Sequence, residues 1–466
     1  MTASVATVKD IEYYEKEETK QAKSKKGRKD IENYYDEAEA TIGRFRGRGA
    51  EQLGFAGDIK KGDFVGLMAG IHPGTKEQMW KDKKVSWKGT DVTLSAPKDV
   101  SILYALSNEE LQKQILEVHN RAVERACLLQ ESVAVRRTYV NKKNIYHKDI
   151  NVIQSVFNHE TARPVDNQRP DMQIHSHTIM NRYAVNKEGE VYSVDNHCLF
   201  QNQKLIGTVY RAELGNGMRE LGFGITTVKE DFYDEELEID FTKEKVKKSM
   251  EKMKLDEDGY RDYLIYKAKT KIQSFQIIGI PKELRRNFSR RSEQIEKIAK
   301  EVGATTALDR QNITTSSKRS KVVWDKDELA KVWKDEAKAF GFTEEKIDTL
   351  RINKEKHILD GAKIESYILK SALTKGGKLF EGPLKLKLAE YEQYTGINYE
   401  KYFNSLVESG KIERVSGFLF KCNIDLTNAD NDQYAYNLKK KHSPKASMKN
   451  LSTLRRQVGN QLGLLK

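Results

Sequence analysis

Cysteine is scarce in this chain of 466 residues: Cys127, Cys198 and Cys422 are the only three. They stand far apart and form neither a C-x-x-C pair nor a disulfide framework, which points to a reducing compartment and packing roles. No run of about 18 apolar residues occurs, and the opening "MTASVATVKDIEYYEK" has no apolar signal core. Membrane insertion and secretion are therefore not expected, and a cytoplasmic location is. Self-similarity at solenoid periods is missing as well. No G-x-x-x-x-G-K-[ST] phosphate loop is present; "ALTKGGKL" comes nearest but begins with Ala372 and ends with Leu379. Acidic residues are in deficit, 69 against 82 Lys plus Arg, which leaves a formal charge of +13 and a pI near 9.2. That balance is expected of a protein that meets a polyanion, with nucleic acid ahead of a membrane surface.

The length is too great for one ordinary core and predicts two or three domains. From Thr90 to about Val194 strand and helix signals alternate, predicting an α+β domain with a mostly antiparallel sheet. "DVTLSAPKDVS", "SVAVRRTYV", "NVIQSVFNHE" and "MQIHSHTIMNRYAV" read as strands or strand starts. "EELQKQILEVHNRAVERACLLQE" reads as a helix opened by a Ser107/Glu110 capping box, with Leu111, Ile115, Val118, Ala122 and Leu129 on one face. His119 borders that stripe, where a structural histidine is the simpler reading. Residues 226–271 are highly charged and read as a solvated insertion. Pro281 fits a helix start. After about residue 344 two or three helices and a "GKIERVSGFLF" hairpin suggest a small winged-helix-like unit at 345–425. Beyond 430 lies a basic tail, whose last 30 residues carry eight Lys or Arg and no acid.

Chemistry concentrates in "QIHSHTIMN". Strand side chains alternate faces, so His175 and His177 project from one side, close enough to share a metal ion. Chance produces an H-x-H in roughly one such chain in six, so a third residue is needed. His159 supplies it, on a strand that the proline-bearing connection "ETARPVDNQRPDMQI" can return beside the first. Three neutral imidazoles make a divalent-ion site with positions left open for substrate oxygen and water. Asp91 shares a strand face with Thr93 and Ser95, from where it can orient a ligating histidine or accept a proton. Two tyrosine doublets, Tyr13–Tyr14 and Tyr34–Tyr35, lie near the amino terminus. The 21 tyrosines predict roughly one adjacent pair by chance, so the doublets alone decide nothing.

Four blocks in order resemble the MobF class of conjugative relaxases, within the HUH endonuclease superfamily. "TDVTLSAPKDVSILYAL" looks like the D-x-T-F-S-A-P-K-S-V-S segment of that class. "FNHETARPVDNQRPDMQIHSHTIMNR" is similar to its three-histidine signature. "GRGAEQLGFAGDIKKGDFVGLMAGIHPG" and "FQIIGIPKELRRNFSRRSEQI" resemble two further blocks, and the family opens with two tyrosine doublets. The resemblance implies an antiparallel-sheet HUH relaxase domain over 1–335. It implies a site- and strand-specific nick at a plasmid transfer origin, with Tyr13 attacking a phosphodiester to give a 5′-phosphotyrosyl enzyme and a free 3′-hydroxyl. It further implies a divalent metal on His159, His175 and His177, magnesium or manganese ahead of zinc, with Asp91 beside it. Tyr34 matches the second nucleophile, with Tyr14 and Tyr35 as positional or stacking neighbours.

Single-stranded DNA with an adjacent duplex or hairpin is the implied partner, with Lys98, Arg285, Arg286, Arg290 and Arg291 as candidate DNA contacts. Accessory relaxosome proteins, a coupling protein and a separate helicase complete the expected set, since the chain without a phosphate loop reads as a stand-alone nickase. The implied location is the bacterial cytoplasm, with passage into the recipient cell alongside the DNA. The chain departs from the family pattern in a lysine-rich insertion between the doublets, and in Phe45, Ala162 and Ser176. A rolling-circle replication initiator or transposase, and a non-catalytic DNA-binding protein, are the competing readings.

Overall fold

The computed structural model describes residues 3–8, 43–60, 62–80, 87–165, 168–227, 274–302, 324–351, 378–417 and 419–423, with short pieces within 242–257, 312–317 and 368–372. Contacts divide the chain into two units that interleave in sequence: Met1–Gly222 with Gly279–Phe288 and Ser320–Ile352, and Phe223–Ile278 with Ser289–Arg319 and Asn353–Lys466. Most of the expected charged insertion, the whole basic tail and both tyrosine doublets lie outside the described residues.

The first unit is α+β. In chain order it holds β1 (Ala3–Val8), β2 (Gly43–Arg46), α1 (Arg48–Gln52), β3 (Gly57–Ile59), α2 (Asp63–Met68), β4 (Gly89–Ser95), α3 (Lys98–Leu106) and α4 (Glu109–Val133). There follow β5 (Arg136–Val140), β6 (Lys143–His147), β7 (Gln154–Thr161), β8 (Met172–Asn181), β9 (Tyr183–Val185), β10 (Val191–Ser193), α5 (His197–Glu220), α6 (Lys282–Asn287), α7 (Lys326–Lys338) and α8 (Glu344–Leu350). Six strands form one sheet in the order β1-β4-β8-β7-β2-β3, every neighbouring pair antiparallel. Non-sequential neighbours such as β4 and β8 mean that distant segments meet in the central strands.

The two faces of this sheet are covered differently. On one side α4 and α5 pack together, and Gly217 of α5 leaves no room for a Cβ against Val118 of α4. A Cβ on Gly207 of α5 would meet the Ala3 Cβ of β1 at 2.8 Å, and Gln203 of α5 donates to the Ala3 carbonyl at 2.8 Å, which ties the edge strand down. On the other side a compact apolar cluster gathers Phe45, Phe55, Phe64, Leu67 and Trp80 against Phe157 and Ile179. The "GRGA" turn makes that cluster possible. Gly47 adopts φ +91°, and a Cβ on Gly49 would meet the Asn151 carbonyl at 2.5 Å where the Gly49 N–H reaches the Val152 carbonyl at 2.9 Å.

Helix α4 begins one residue later than the expected capping box. Asn108 is its N-cap, accepting from the Leu111 N–H at 3.0 Å, while the Ser107 hydroxyl donates back to the Leu103 carbonyl at the end of α3. Ser107 therefore closes one helix and Asn108 opens the next.

The second unit contains the paired strands Ile225–Thr227 and Phe275–Ile277 and the helix Arg290–Glu301. It also contains helices Glu381–Thr395 and Tyr399–Glu408 with a three-stranded sheet of Lys378–Phe380, Leu419–Cys422 and Ile412–Ser416. Phe403 and Phe420 meet edge to face at 5.6 Å and join helix to sheet. Among the described residues no helix is long and apolar enough to cross a membrane.

Candidate metal centre

Alternation along β8 sends Gln173, His175, His177 and Ile179 to one face and Ile174, Ser176 and Thr178 to the other. Register then brings the third imidazole in: on β7, His159 lies opposite His175, and on β4, Thr93 lies opposite His177. The three ring centroids are 4.9, 5.1 and 5.4 Å apart, and one nitrogen from each ring falls within 4.8 Å of the other two. His159 is 3 % exposed and the other two are half-buried, so the cluster is open on one side only. Phe157, the cross-strand partner of His177, fills the space beside it and meets Phe64 edge to face at 5.1 Å.

Hydrogen bonds set the tautomers. His177 Nδ1 lies 2.7 Å from Asp91 Oδ2, so Nδ1 carries the proton and donates it, leaving the Nε2 lone pair for the cluster. His175 Nδ1 donates to the Gln173 carbonyl at 3.0 Å, which bares its Nε2 in the same way. That Nε2 stands 3.2 Å from His159 Nδ1. Two nitrogens bound to one tetrahedral ion at about 2.0–2.1 Å are separated by roughly 3.2–3.4 Å, so the gap matches one edge of a coordination polyhedron. A carboxylate on one ligand and a backbone carbonyl on another are the outer partners that ligating histidines use. The donor set therefore fits a divalent ion. Thr93 closes the arrangement, its hydroxyl 3.4 Å from Asp91 Oδ2 and 3.2 Å from His177 Nδ1.

Behind the same strand is a buried polar layer. Ser176 donates to Asn158 Oδ1 at 2.6 Å and lies 2.7 Å from His119 Nε2, whose Nδ1 is 2.9 Å from the Tyr210 hydroxyl. Thr178 accepts from Gln130 Nε2 at 3.0 Å and donates to the Val92 carbonyl at 2.8 Å. Burial, aided by Arg44, pushes His119 down to about 3, so it is a neutral structural histidine with both nitrogens engaged.

The structure thus brings His159, His175, His177 and Asp91 together, while Tyr13, Tyr14, Tyr34 and Tyr35 lie outside the described residues. The candidate DNA contacts are dispersed. Lys98 Nζ donates to the Met172 carbonyl at 2.7 Å, and Arg285 holds the buried Asp99 at 2.6 Å and the Ile280 carbonyl at 2.7 Å. In the second unit Arg291 donates to the Thr314 and Ser317 carbonyls at 3.1 and 3.2 Å. Arg290 is half-buried, and Arg286 is exposed. Sequence reasoning left Phe157 and the Gln173 carbonyl out of the site. Phe157 reads as ordinary core, and a backbone acceptor has no residue-type signal; the period-two spacing from His175 was the available clue for Gln173.

A sheet that presents two imidazoles from one strand and a third from its neighbour, with an acid behind one of them, defines a metal-binding α+β protein of the HUH type. The chain belongs to the TrwC relaxase family, which it matches over residues 8–252 and 245–340. It is similar to the multifunctional conjugation protein TraI of Escherichia coli strain K12, 30% identical over 207 residues, which is 42% of this chain and 11% of that one. The aligned part is thus about a tenth of the relative's length. Among solved structures it is similar to the conjugative relaxase TrwC in complex with oriT DNA, described as metal-bound, with a TM-score of 0.51 and 22% identity, covering 73% of this chain and 99% of that one. It is also similar, at a TM-score of 0.50, 22% identity and the same coverage, to TrwC complexed with a 27-mer DNA comprising the recognition hairpin and the cleavage site. At this identity the structural likeness concerns the fold.

Proposed function

We propose that this chain is a metal-dependent DNA strand transferase, a relaxase that nicks and rejoins one strand at a transfer origin. The observation that carries the reading is the convergence of His159, His175 and His177 with Asp91 set behind His177. His159, His175 and His177 would hold a divalent ion, which would supply positive charge to stabilise the phosphate in the transition state. The protein's part is positional: Asp91 and the Gln173 carbonyl hold the imidazoles in the tautomers that face the substrate side.

Tyr13 is the proposed nucleophile. Strand β1 runs beside β4, with Ala6 opposite Asp91 and Ser4 opposite Thr93, and the chain continues from Val8 to Tyr13. Five residues span at most about 18 Å, while His177 lies four residues along the sheet from the level of Val8, roughly 13 Å, and two strands across, roughly 10 Å, which makes about 16 Å in all. The length of the tether is compatible with Tyr13 as the nucleophile. Attack forms a bond from the Tyr13 oxygen to phosphorus, breaks the bond from phosphorus to O3′, and leaves the phenolic proton on the departing 3′ oxygen. One phosphoester replaces another, so the reverse reaction needs no nucleotide. Tyr34 is the proposed acceptor for a second transfer, with Tyr14 and Tyr35 as neighbours.

Three neutral imidazoles favour a first-row transition ion such as manganese or zinc over magnesium, which prefers oxygen ligands in an octahedron. Single-stranded DNA with an adjacent hairpin is the proposed substrate, in the cytoplasm of the donor cell. Accessory proteins act with the chain there, and the covalent complex passes to the recipient. The test is a labelled single-stranded oligonucleotide carrying the cognate origin, with and without metal, in wild type, Tyr13→Phe and Tyr34→Phe. A metal-dependent adduct that resists SDS and is lost with Tyr13→Phe is the expected result. Tight binding without an adduct in any variant places the chain among non-catalytic DNA-binding proteins.

A further inference from the structure

The main chain just ahead of His175 carries the carbonyl that sets the tautomer of this imidazole, and the sheet ladder holds it poorly. On one side β4 pairs with β8 only as far as Ser95 opposite His175. On the other, the register with β7 shifts between His159 and Thr161. His159 faces His175 and Thr161 faces Met172, so Gln173 and Ile174 together oppose Glu160 alone. This is a β-bulge, which gives up ladder bonds while it re-aims a side chain. Here the bulged strand offers the Gln173 carbonyl to His175 Nδ1 at 3.0 Å.

What the ladder omits comes from the segment that links β4 to α3. Lys98 Nζ donates to the Met172 carbonyl at 2.7 Å, on one side of Gln173. On the other side the Ile174 N–H donates to the Ser101 hydroxyl at 3.0 Å, and the Ile174 carbonyl accepts from the Ala96 N–H at 3.0 Å. The Gln173 side chain returns the grip, its Nε2 donating to the Ala96 carbonyl at 2.8 Å. Helix α3 is itself pinned, because the buried Asp99 in its first turn accepts from Arg285 at 2.6 Å. Ser101 is fully buried and Lys98 half-buried.

We propose that Lys98 and Ser101 are positioning residues for the metal centre: they fix the bulge at 172–174, so that the Gln173 carbonyl keeps His175 Nδ1 protonated and its Nε2 turned to the ion. This rests on the reading of the three histidines as a metal site. A ligand must stay within about 0.5 Å of its productive position, and the outer partners of ligating histidines change metal affinity by about tenfold to a hundredfold. Lys98 and Ser101 stand one step further out, since they act on the partner and not on the ring, so the lower end of that range is expected. Lys98 thereby has a use other than holding a DNA phosphate.

The test is calorimetric titration of the full chain, treated with chelator and free of DNA, with zinc. Lys98→Met keeps the stem and removes the donor, and Ser101→Ala leaves the Ile174 N–H without its acceptor; each should raise the dissociation constant about tenfold. Lys98→Arg keeps a donor and should recover most of that loss. In a His175→Ala background Lys98→Met should cost nothing further, because its effect passes through that ring. Asn108→Ala removes the N-cap of α4 and lowers Tm without touching the bulge, so it should bind zinc as wild type does. Should Ser101→Ala fail to fold, the Lys98 series decides alone. Wild-type zinc affinity in Lys98→Met overturns the proposal, and a concurrent loss of oligothymidylate binding by that variant without metal makes Lys98 a phosphate contact. A further loss in the His175→Ala background overturns it too, as general loosening of the fold. A wild-type chain that binds no zinc removes the metal reading itself, and the proposal with it.

Discussion

Replacing Asp91 by asparagine separates two roles that one carboxylate can play beside a metal site. Asp91 is 5 % exposed, and its Oδ2 takes the His177 Nδ1 proton at 2.7 Å while Thr93 approaches the same atom at 3.4 Å. Asparagine keeps the size. If its carbonyl faces Nδ1 the bond survives without charge assistance, roughly half as strong; if its amide faces Nδ1 the ring is driven to the tautomer whose Nε2 carries the proton. Both outcomes weaken a ligand through its outer partner, which costs about tenfold to a hundredfold in metal affinity, or roughly 1.4–2.7 kcal/mol. Calorimetric titration of chelator-treated protein with manganese or zinc reads the affinity directly. Adduct formation against metal concentration should then shift to higher metal by the same factor and recover at saturation. An unchanged dissociation constant with adduct lost at every metal concentration would refute the positioning argument and make Asp91 the acceptor of the phenolic proton.

His119 titrates near 6.5 in an unfolded chain and is pushed down to about 3 by burial in the fold, so below 6.5 the unfolded state binds a proton that the folded state refuses. Its contribution is complete above about 6.5 and declines as pH falls toward 3, by at most about 1.4 kcal/mol per pH unit. Urea unfolding at pH 7 and pH 5 should show a smaller acid loss in His119→Gln than in wild type. Gly49→Ala should destabilise by about 1–3 kcal/mol in thermal unfolding, because its Cβ meets the Asn151 carbonyl and the Ile153 side chain. Phe157→Ala should cost about 3–5 kcal/mol and also weaken metal binding, since Phe157 is fully buried opposite His177. Adding metal to chelator-treated protein at about a hundred times its dissociation constant should stabilise the fold by about 2.7 kcal/mol, seen as a rise in Tm, and the His175→Ala variant should show far less.

Much of this site was legible because its geometry is local. Two histidines spaced by one residue share a strand face whatever the rest of the chain does, and Asp91 with Thr93 obeys the same period. The pairing of β7 with β8 also had a local cue, a polar connection with prolines between two apolar runs. What escaped is non-local. Gln130 and Glu131 are buried on α4, although the apolar stripe that includes Leu129 gives no hint of it, because Gln130 meets Thr178 and Glu131 meets Arg48 across the fold. The charged stretch 226–271 marks the segment Phe223–Ile278 of the second unit, but the return of the chain to the first unit at Gly279–Phe288 and again at Ser320–Ile352 has no composition shift to mark it. Lys98, Arg285 and Arg291 read as phosphate contacts from charge alone, and only the fold shows the carbonyl and carboxylate groups that they hold.

The polar layer behind β8 bears on why the metal face is where it is. A strand whose two faces were both simply apolar could pair one residue out of step at modest cost, and such a slip would send His175 and His177 into the helices. Ser176 and Thr178 oppose that slip, since their hydroxyls find Asn158, His119, Gln130 and the Val92 carbonyl only in the observed register. Moved by one position, those partners would be left buried without hydrogen bonds, each costing about 1–3 kcal/mol. On the other face His175 and His177 stay half-buried and contribute less to fixing the register. Their placement is therefore secured from behind, by groups on the opposite face of the strand.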